Sequence, residues 1–234
     1  TSLKEITIPQ SVRSIQNHAF FECSSLDSIS LPSSLSSVGT DAFNGCSSLT
    51  KINLPPFLEM INDSIFKGCK SLIQIEIPNS VKTIGENAFS GCLSLSKISI
   101  PQSVQRICPY AFHSCISLRE IKIPYFVQTI PSHCFDKCEN LNRIDIPTSI
   151  KTICEYAFSE CFFLDELSIP SSVTNIESSA FNKCTCLKKI FIPSSLQSIE
   201  SRLFNICLSL SSISIPSSIK VIEDYAFAGC ESLL

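Results

Sequence analysis

Apolar and polar positions along the chain follow a single long period. Leucine stands at 3, 26, 49, 72, 95, 118, 141, 164, 187, 210 and 233, a constant 23-residue interval. With each leucine numbered as offset zero, offset 3 is Ile in nine repeats and Leu167 in the other, and offset 5 is Ile or Leu throughout. Offset 6 is always Pro, from Pro9 to Pro216, offset 17 always Phe, from Phe20 to Phe227, and offset 20 always Cys, from Cys23 to Cys230. Val, Leu or Ile fills offset 9, Ile or Val38 fills offset 12, and Ala usually fills offset 16. Ten full repeats end at Ser232 and a partial eleventh starts at Leu233. Self-similarity at such a period marks coils that stack, because one coil cannot bury its apolar side alone.

The template predicts two elements per coil. Offsets 3 and 5 alternate with polar offsets 2 and 4, which is the pattern of a short strand with one face inward. Proline at offset 6 has no N–H for a ladder and ends the strand. Offsets 13 to 20 carry Ala-Phe and then Cys three positions later, a spacing that suits a helical turn burying both. At about 4.8 Å per stacked strand, ten coils make a rod or shallow arc roughly 50 Å long. Residues 1–234 thus form a single domain, and since neither end carries a polar cap the chain reads as a segment of a longer array.

Composition narrows the function classes. Net charge is −3 at pH 7, so no basic surface is offered to nucleic acid. Apolar runs are only a few residues long, so no membrane span is expected, and Thr1-Ser2-Leu3-Lys4-Glu5 has neither part of a signal peptide.

The 23-residue period, the proline directly after L-x-x-I-x-I, and the closing A-F-x-x-C together resemble the BspA-like, treponemal-type leucine-rich repeats. The resemblance spans the whole chain. It implies an α/β repeat solenoid, a right-handed superhelix of ten 23-residue coils, with a parallel β-sheet on one face and short helical turns on the other. It also implies a cell-surface or secreted protein that adheres to host matrix proteins or to other cells. One departure is visible. Common leucine-rich repeats carry Asn or Cys shortly after the strand, whereas offset 8 here is Ser in eight repeats and Phe57 or Phe126 in two. A buried asparagine ladder is therefore not expected.

Candidate chemistry is sparse. The ten offset-20 cysteines read as a buried ladder of free thiols, since stacked Cβ atoms about 5 Å apart exceed the usual disulfide spacing. Cys134 replaces an offset-16 residue and reads as core, and Cys186 is the candidate for an exposed thiol. His18, His113 and His133 are scattered, so no metal site and no cofactor is expected. No hydrolase, kinase or P-loop motif is present, which argues against an enzyme. On the strand, offset 2 runs Lys97, Glu120, Arg143, Glu166, Lys189, alternating strictly in sign. Such a column either neutralises itself or forms a recognition face. Phe191 interrupts a polar column at offset 4, Tyr125 and Phe126 interrupt small polar residues at offsets 7 and 8, and Phe162 and Phe163 sit in the loop before Leu164. Apolar side chains in polar columns are candidates for partner contact.

The patch expected to bind a protein partner is Arg143, Asp145, Lys189 and Phe191, with Tyr125 and Phe126 at its rim. A host matrix or cell-surface protein is the expected partner. The alternative is a structural spacer that self-associates end to end without a specific ligand. A longer 69-residue period is also visible, because offset 10 is basic only at Arg13, Lys82, Lys151 and Lys220. Those four side chains are expected along one edge, about 15 Å apart. Asn62-Asp63-Ser64 is the sole glycosylation sequon.

Overall fold

The computed structural model describes residues 2–234. Each repeat supplies two short strands rather than one. The first covers offsets 2 to 4, as in Glu120–Lys122, and pairs in parallel with its equivalent one repeat on, with Glu120 opposite Arg143, Ile121 opposite Ile144 and Lys122 opposite Asp145. The central Ile points inward and its neighbours outward, as the alternation requires. The Pro carbonyl then closes a turn by accepting the N–H of offset 9, as Pro124 does from Val127 at 3.1 Å. A second strand follows at offsets 11 and 12, such as Thr129–Ile130, which pairs in parallel with Thr152–Ile153.

The expected helical turn does not form: among the described residues there is no helix. The backbone explains why. Offset 15 is left-handed in every repeat, from His18 (φ 59°) to Tyr225 (φ 58°), and offset 19 is left-handed again, from Glu22 (φ 55°) to Gly229 (φ 72°). Left-handed residues four apart cannot belong to a right-handed helix. Every second amide in this segment instead reaches the next coil, as Tyr110 N–H does to the Ser132 carbonyl at 3.1 Å, Phe112 to Cys134 at 3.0 Å and Ser114 to Asp136 at 2.8 Å. The intervening amides close tight turns within the coil, such as His113 to Tyr110 at 3.0 Å and Cys115 to Phe112 at 3.1 Å. A neighbouring coil therefore outcompetes the helix for half of the amides.

The count of coils is also corrected. The ten equivalent phenylalanines from Phe20 to Phe227 are separated by nine 23-residue steps, so the solenoid makes about nine turns rather than ten coils. Nor is the sheet continuous. The first strands form four groups, with seams between Lys51–Ile52 and Gln74–Glu76, between Lys97–Ser99 and Glu120–Lys122, and between Arg143–Asp145 and Glu166–Leu167.

The core is a column of rings. Phe20 to Phe227 stack with centroids 5.4–5.7 Å apart and planes within 17° of parallel. Phe43 to Phe204 are fully buried. The cysteines explain themselves beside this column. Each offset-20 thiol from Cys46 to Cys230 donates to the carbonyl of the Phe one coil back, at 3.1–3.3 Å. That carbonyl also accepts the Cys N–H of its own coil, as Phe112 does from Cys115 at 3.1 Å. Cysteine suits the place because it is a small hydrophobe with a weak donor. All fourteen cysteines are free thiols, Cys134 is buried as expected, and Cys186 is half-buried rather than exposed.

Burial pushes the core thiols upward, Cys46 from 9.0 to about 12 and Cys69, Cys92 and Cys115 well above the ordinary range, with each neighbouring thiol adding to the rise. The folded chain therefore keeps protons that the unfolded chain sheds above about pH 9. Stability should be intact below that pH and fall as pH rises through it, by about 1.4 kcal/mol per unit for each buried thiol. Urea titrations at increasing pH should show this loss, and Cys115→Ala should reduce its slope by about one thiol's share. A second outcome follows from offset 19. Ile206 is a β-branched residue held at φ 59° where Gly45, Gly68, Gly91 and Gly229 stand in equivalent coils. Ile206→Gly should raise stability by about 1–2 kcal/mol in equilibrium unfolding.

Candidate functional site

The outward side chains of the first strands line open hollows at the seams. One hollow of about 960 Å³ spans the seam between Arg143–Asp145 and Glu166–Leu167 and is lined by Arg143, Phe163, Asp165, Glu166, Cys186, Lys188, Lys189 and Phe191, among others. A second of about 940 Å³ spans the preceding seam and takes Lys97, Gln102, Glu120, Lys122, Arg143 and Asp145. Arg143 belongs to both. The structure thus brings Arg143, Lys189 and Phe191 around one hollow and places Asp145 with Arg143 in the other. Tyr125 and Phe126 line neither. They sit on the turn after Pro124, 58% and 62% exposed, with ring centroids 6.0 Å apart and edge to face.

Phe191 is opposite Ser214 and 58% exposed. The Lys189 ammonium lies 4.7 Å from its ring centroid, an attraction that ties a cation to an exposed aromatic. The alternating charge column is in register, Glu120 against Arg143 and Glu166 against Lys189. Yet among the described residues no ion pair joins these neighbours. On the strand side the pairs that form lie in nearby columns, Lys122–Asp145 at 3.3 Å and Lys188–Asp165 at 3.9 Å. Both are exposed to water and worth little. Strand pleating carries the offset-2 charges side by side without bringing them to contact, so their hydrogen-bonding capacity faces the solvent.

Three residues escaped the sequence reading. Asp136 is 7% exposed; its carboxylate accepts a hydrogen bond from His133 Nδ1 at 2.9 Å and lies 3.7 Å from His113 Nε2. His133 is sandwiched between Tyr110 and Tyr156, with centroids at 4.5 and 4.8 Å. Burial lowers His113 below its ordinary value against the raising effect of Asp136. These histidines looked scattered, but His133 lies exactly one repeat from each of the two tyrosines, and Asp136 lies one repeat after His113. Reading the repeat columns for stacked partners would have found them. The cluster lies in the left-handed segment and ties consecutive coils together. The amide of Asn62, in the sequon, is likewise engaged between coils by donating to the Val38 carbonyl.

Comparison with known proteins decides the family. The sequence model described as BspA type Leucine rich repeat region matches in six copies, over residues 1–119 and 105–234. The chain belongs to the BspA-type leucine-rich repeat family. Among solved structures, a leucine-rich repeat protein from Bacteroides ovatus is similar at 28% identity and a TM-score of 0.78, with 99% of this chain and 74% of that chain covered. The T. pallidum leucine-rich repeat protein matches at 32% identity and a TM-score of 0.67, over 70% of this chain and 79% of that one. The pneumococcal vaccine antigen PcpA shares the fold at 22% identity and a TM-score of 0.56, over 95% of this chain and 75% of that chain. No curated protein matches the sequence. Membership in the BspA-type family fits a repeat scaffold for protein binding, and among the described residues no helix is long and apolar enough to cross a membrane.

The buried and exposed carboxylates of this BspA-type solenoid should behave differently. Asp136→Ala should cost about 1–3 kcal/mol by removing a buried acceptor. Asp145→Ala should cost under about 1 kcal/mol because it breaks only an exposed pair. Urea unfolding of the two variants checks the contrast.

Proposed function

We propose that the chain is a non-enzymatic, protein-binding scaffold of a cell-surface or secreted protein, and that its strand face binds a host matrix or cell-surface protein. Arg143, Asp145, Lys189 and Phe191 carry the contact. The observation that supports this reading most is Phe191, a large ring 58% exposed, held beneath the Lys189 cation at the edge of a hollow that also presents Arg143. Aromatic and arginine anchors at a concavity are the groups that dominate protein interfaces. The unpaired alternating column around them supplies orientation, because a partner of the wrong register meets like charge. The similarity to a protein named as a pneumococcal vaccine antigen supports the surface location. Tyr125 and Phe126, on the turn edge, would touch only a partner that wraps around the solenoid.

The alternative, a self-associating spacer, draws on the exposed apolar residues Ile215, Val221 and Ile222, which are 42–52% exposed. The two readings separate in one experiment. Purified chain is titrated onto immobilised matrix proteins and host cells, beside Phe191→Ser and Arg143→Glu, with sedimentation velocity in the same buffer. Both substitutions are at exposed positions and should leave the unfolding transition within about 0.5 kcal/mol. The binding-scaffold reading expects saturable binding that each variant weakens about tenfold or more. Concentration-dependent association without binding would replace it with the spacer.

A further inference from the structure

The turn between the two strands carries a second surface, independent of the strand face. At offset 8, a serine hydroxyl stitches one coil to the last in five repeats, while the Ser172 and Ser218 hydroxyls are buried without a partner among the described residues. Ser34, Ser80, Ser103 and Ser149 donate to the carbonyls of Val12, Leu58, Val81 and Val127, at 2.6–3.2 Å, and Ser195 does the same to Val173. Phe57 and Phe126 occupy this position in the two exceptional repeats and have no hydroxyl to donate. Their rings do not fold back over the coil. Phe57 is 69% and Phe126 62% exposed, with Tyr125 edge-on to Phe126. Two inter-coil hydrogen bonds are forgone at positions where the fold has a working alternative. The two rings stand three coils apart, or about 15 Å along the edge.

The end of the same turn and the start of the second strand gather positive charge. Offsets 10 and 11 hold Arg13, Lys82, Arg106, Lys151 and Lys220, all exposed, against the single carboxylate Glu59, although the chain as a whole is at −3. None of these five cations makes an ion pair among the described residues. Lys82 and Lys151 stand one coil beyond Phe57 and Phe126 and two positions further along the turn, so each exposed ring has a cation in the neighbouring coil. The four basic side chains of the 69-residue period thus share one edge, together with the aromatics.

We infer that this turn edge docks on an anionic lipid surface, with Phe57, Tyr125 and Phe126 entering the headgroup region while Lys82, Arg106 and Lys151 meet the lipid charges. The physical pieces are those of an interfacial anchor, in which aromatic rings sit at the water–hydrocarbon boundary and flanking cations are attracted to acidic headgroups. The described hollows lie on the strand face and these three aromatics line none of them, so the edge presents a row of projections rather than a cup for a folded partner. A stack of equal coils sets those projections in a line, which a planar surface can meet at several points at once. A membrane met this way leaves the strand face free for a protein.

The test is co-sedimentation of the chain with vesicles of phosphatidylcholine, with and without phosphatidylserine, at low and high salt. Binding should require phosphatidylserine and weaken at high salt. The double variant Phe57→Ser, Phe126→Ser should bind about tenfold or more weakly. It restores the residue found in the other repeats, so its fold is expected to persist, and an unchanged circular dichroism spectrum and thermal transition establish that. Lys82→Gln with Lys151→Gln should weaken binding and flatten its salt dependence. Failure of the parent chain to bind phosphatidylserine vesicles would overturn the inference, as would binding unaffected by the double Phe variant. Retention on a sulfated polysaccharide without vesicle binding would overturn it too, in favour of a soluble anionic polymer. None of these outcomes touches Phe191, so the strand-face reading stands or falls separately.

Discussion

Everything in this solenoid hangs on the phenylalanine carbonyl that faces two coils at once. It accepts the amide of the cysteine three positions later and the thiol of the equivalent cysteine in the next coil. Its own ring meanwhile stacks on the ring of the next coil at about 5.5 Å. One residue thereby closes a turn, fixes the rise between coils and fills the core. Its carbonyl oxygen is fully used, which matters because an unsatisfied buried acceptor costs about 1–3 kcal/mol. The column therefore tolerates no slip of register: a shift between coils would break the ring stack and orphan the thiol donor, while the amide bond within each coil would survive.

That constraint shapes the surfaces. With the inward positions committed, variation is left to the outward ones, and on the strand face and the following turn, offsets 2, 4, 7, 8, 10 and 11, unusual residues accumulate. Phe191, Tyr125, Phe126 and Phe57 are all in these outward columns, and all are exposed. The strand face and the turn edge therefore arise from one rule, which is that a coil with a fixed interior can diversify only outward. A rigid stack also sets the spacing of what it displays, so a partner meets side chains at multiples of one coil rise.

The energetics of the charged columns follow the same geometry. Parallel strands bring offset-2 side chains side by side, but the observed ion pairs form elsewhere, at Lys122–Asp145 and Lys188–Asp165 beside the column and at Lys183–Glu160 in the left-handed segment. Water-exposed charges that do not touch add little to folding. They remain available for steering and for orienting a bound protein. By contrast, the one well-buried carboxylate among the described residues, Asp136, is spent internally on His133 and His113. Burial, rather than charge type, separates structural from displayed acids here.

The amino-acid pattern alone established the period, a short strand before the proline with its isoleucines inward, the buried Phe and Cys columns and the resemblance to the family; the structure ended that strand at offset 4. Those features depend on spacing and on side-chain hydrophobicity, which are local and periodic. The two exposed aromatic sites were also legible, because an apolar residue in a polar column stands out. Three things were decided by the packed coils. The segment from offset 13 to 20 became linked left-handed turns, since each neighbouring coil offers carbonyls to every second amide, a competition that one coil's sequence does not reveal. The Tyr110, His133, Tyr156 and Asp136 cluster appeared when equivalent positions of successive repeats were superposed. The seams that open the hollows beside Arg143 arise from how consecutive strands pair, and pairing is a property of two coils together rather than of either one.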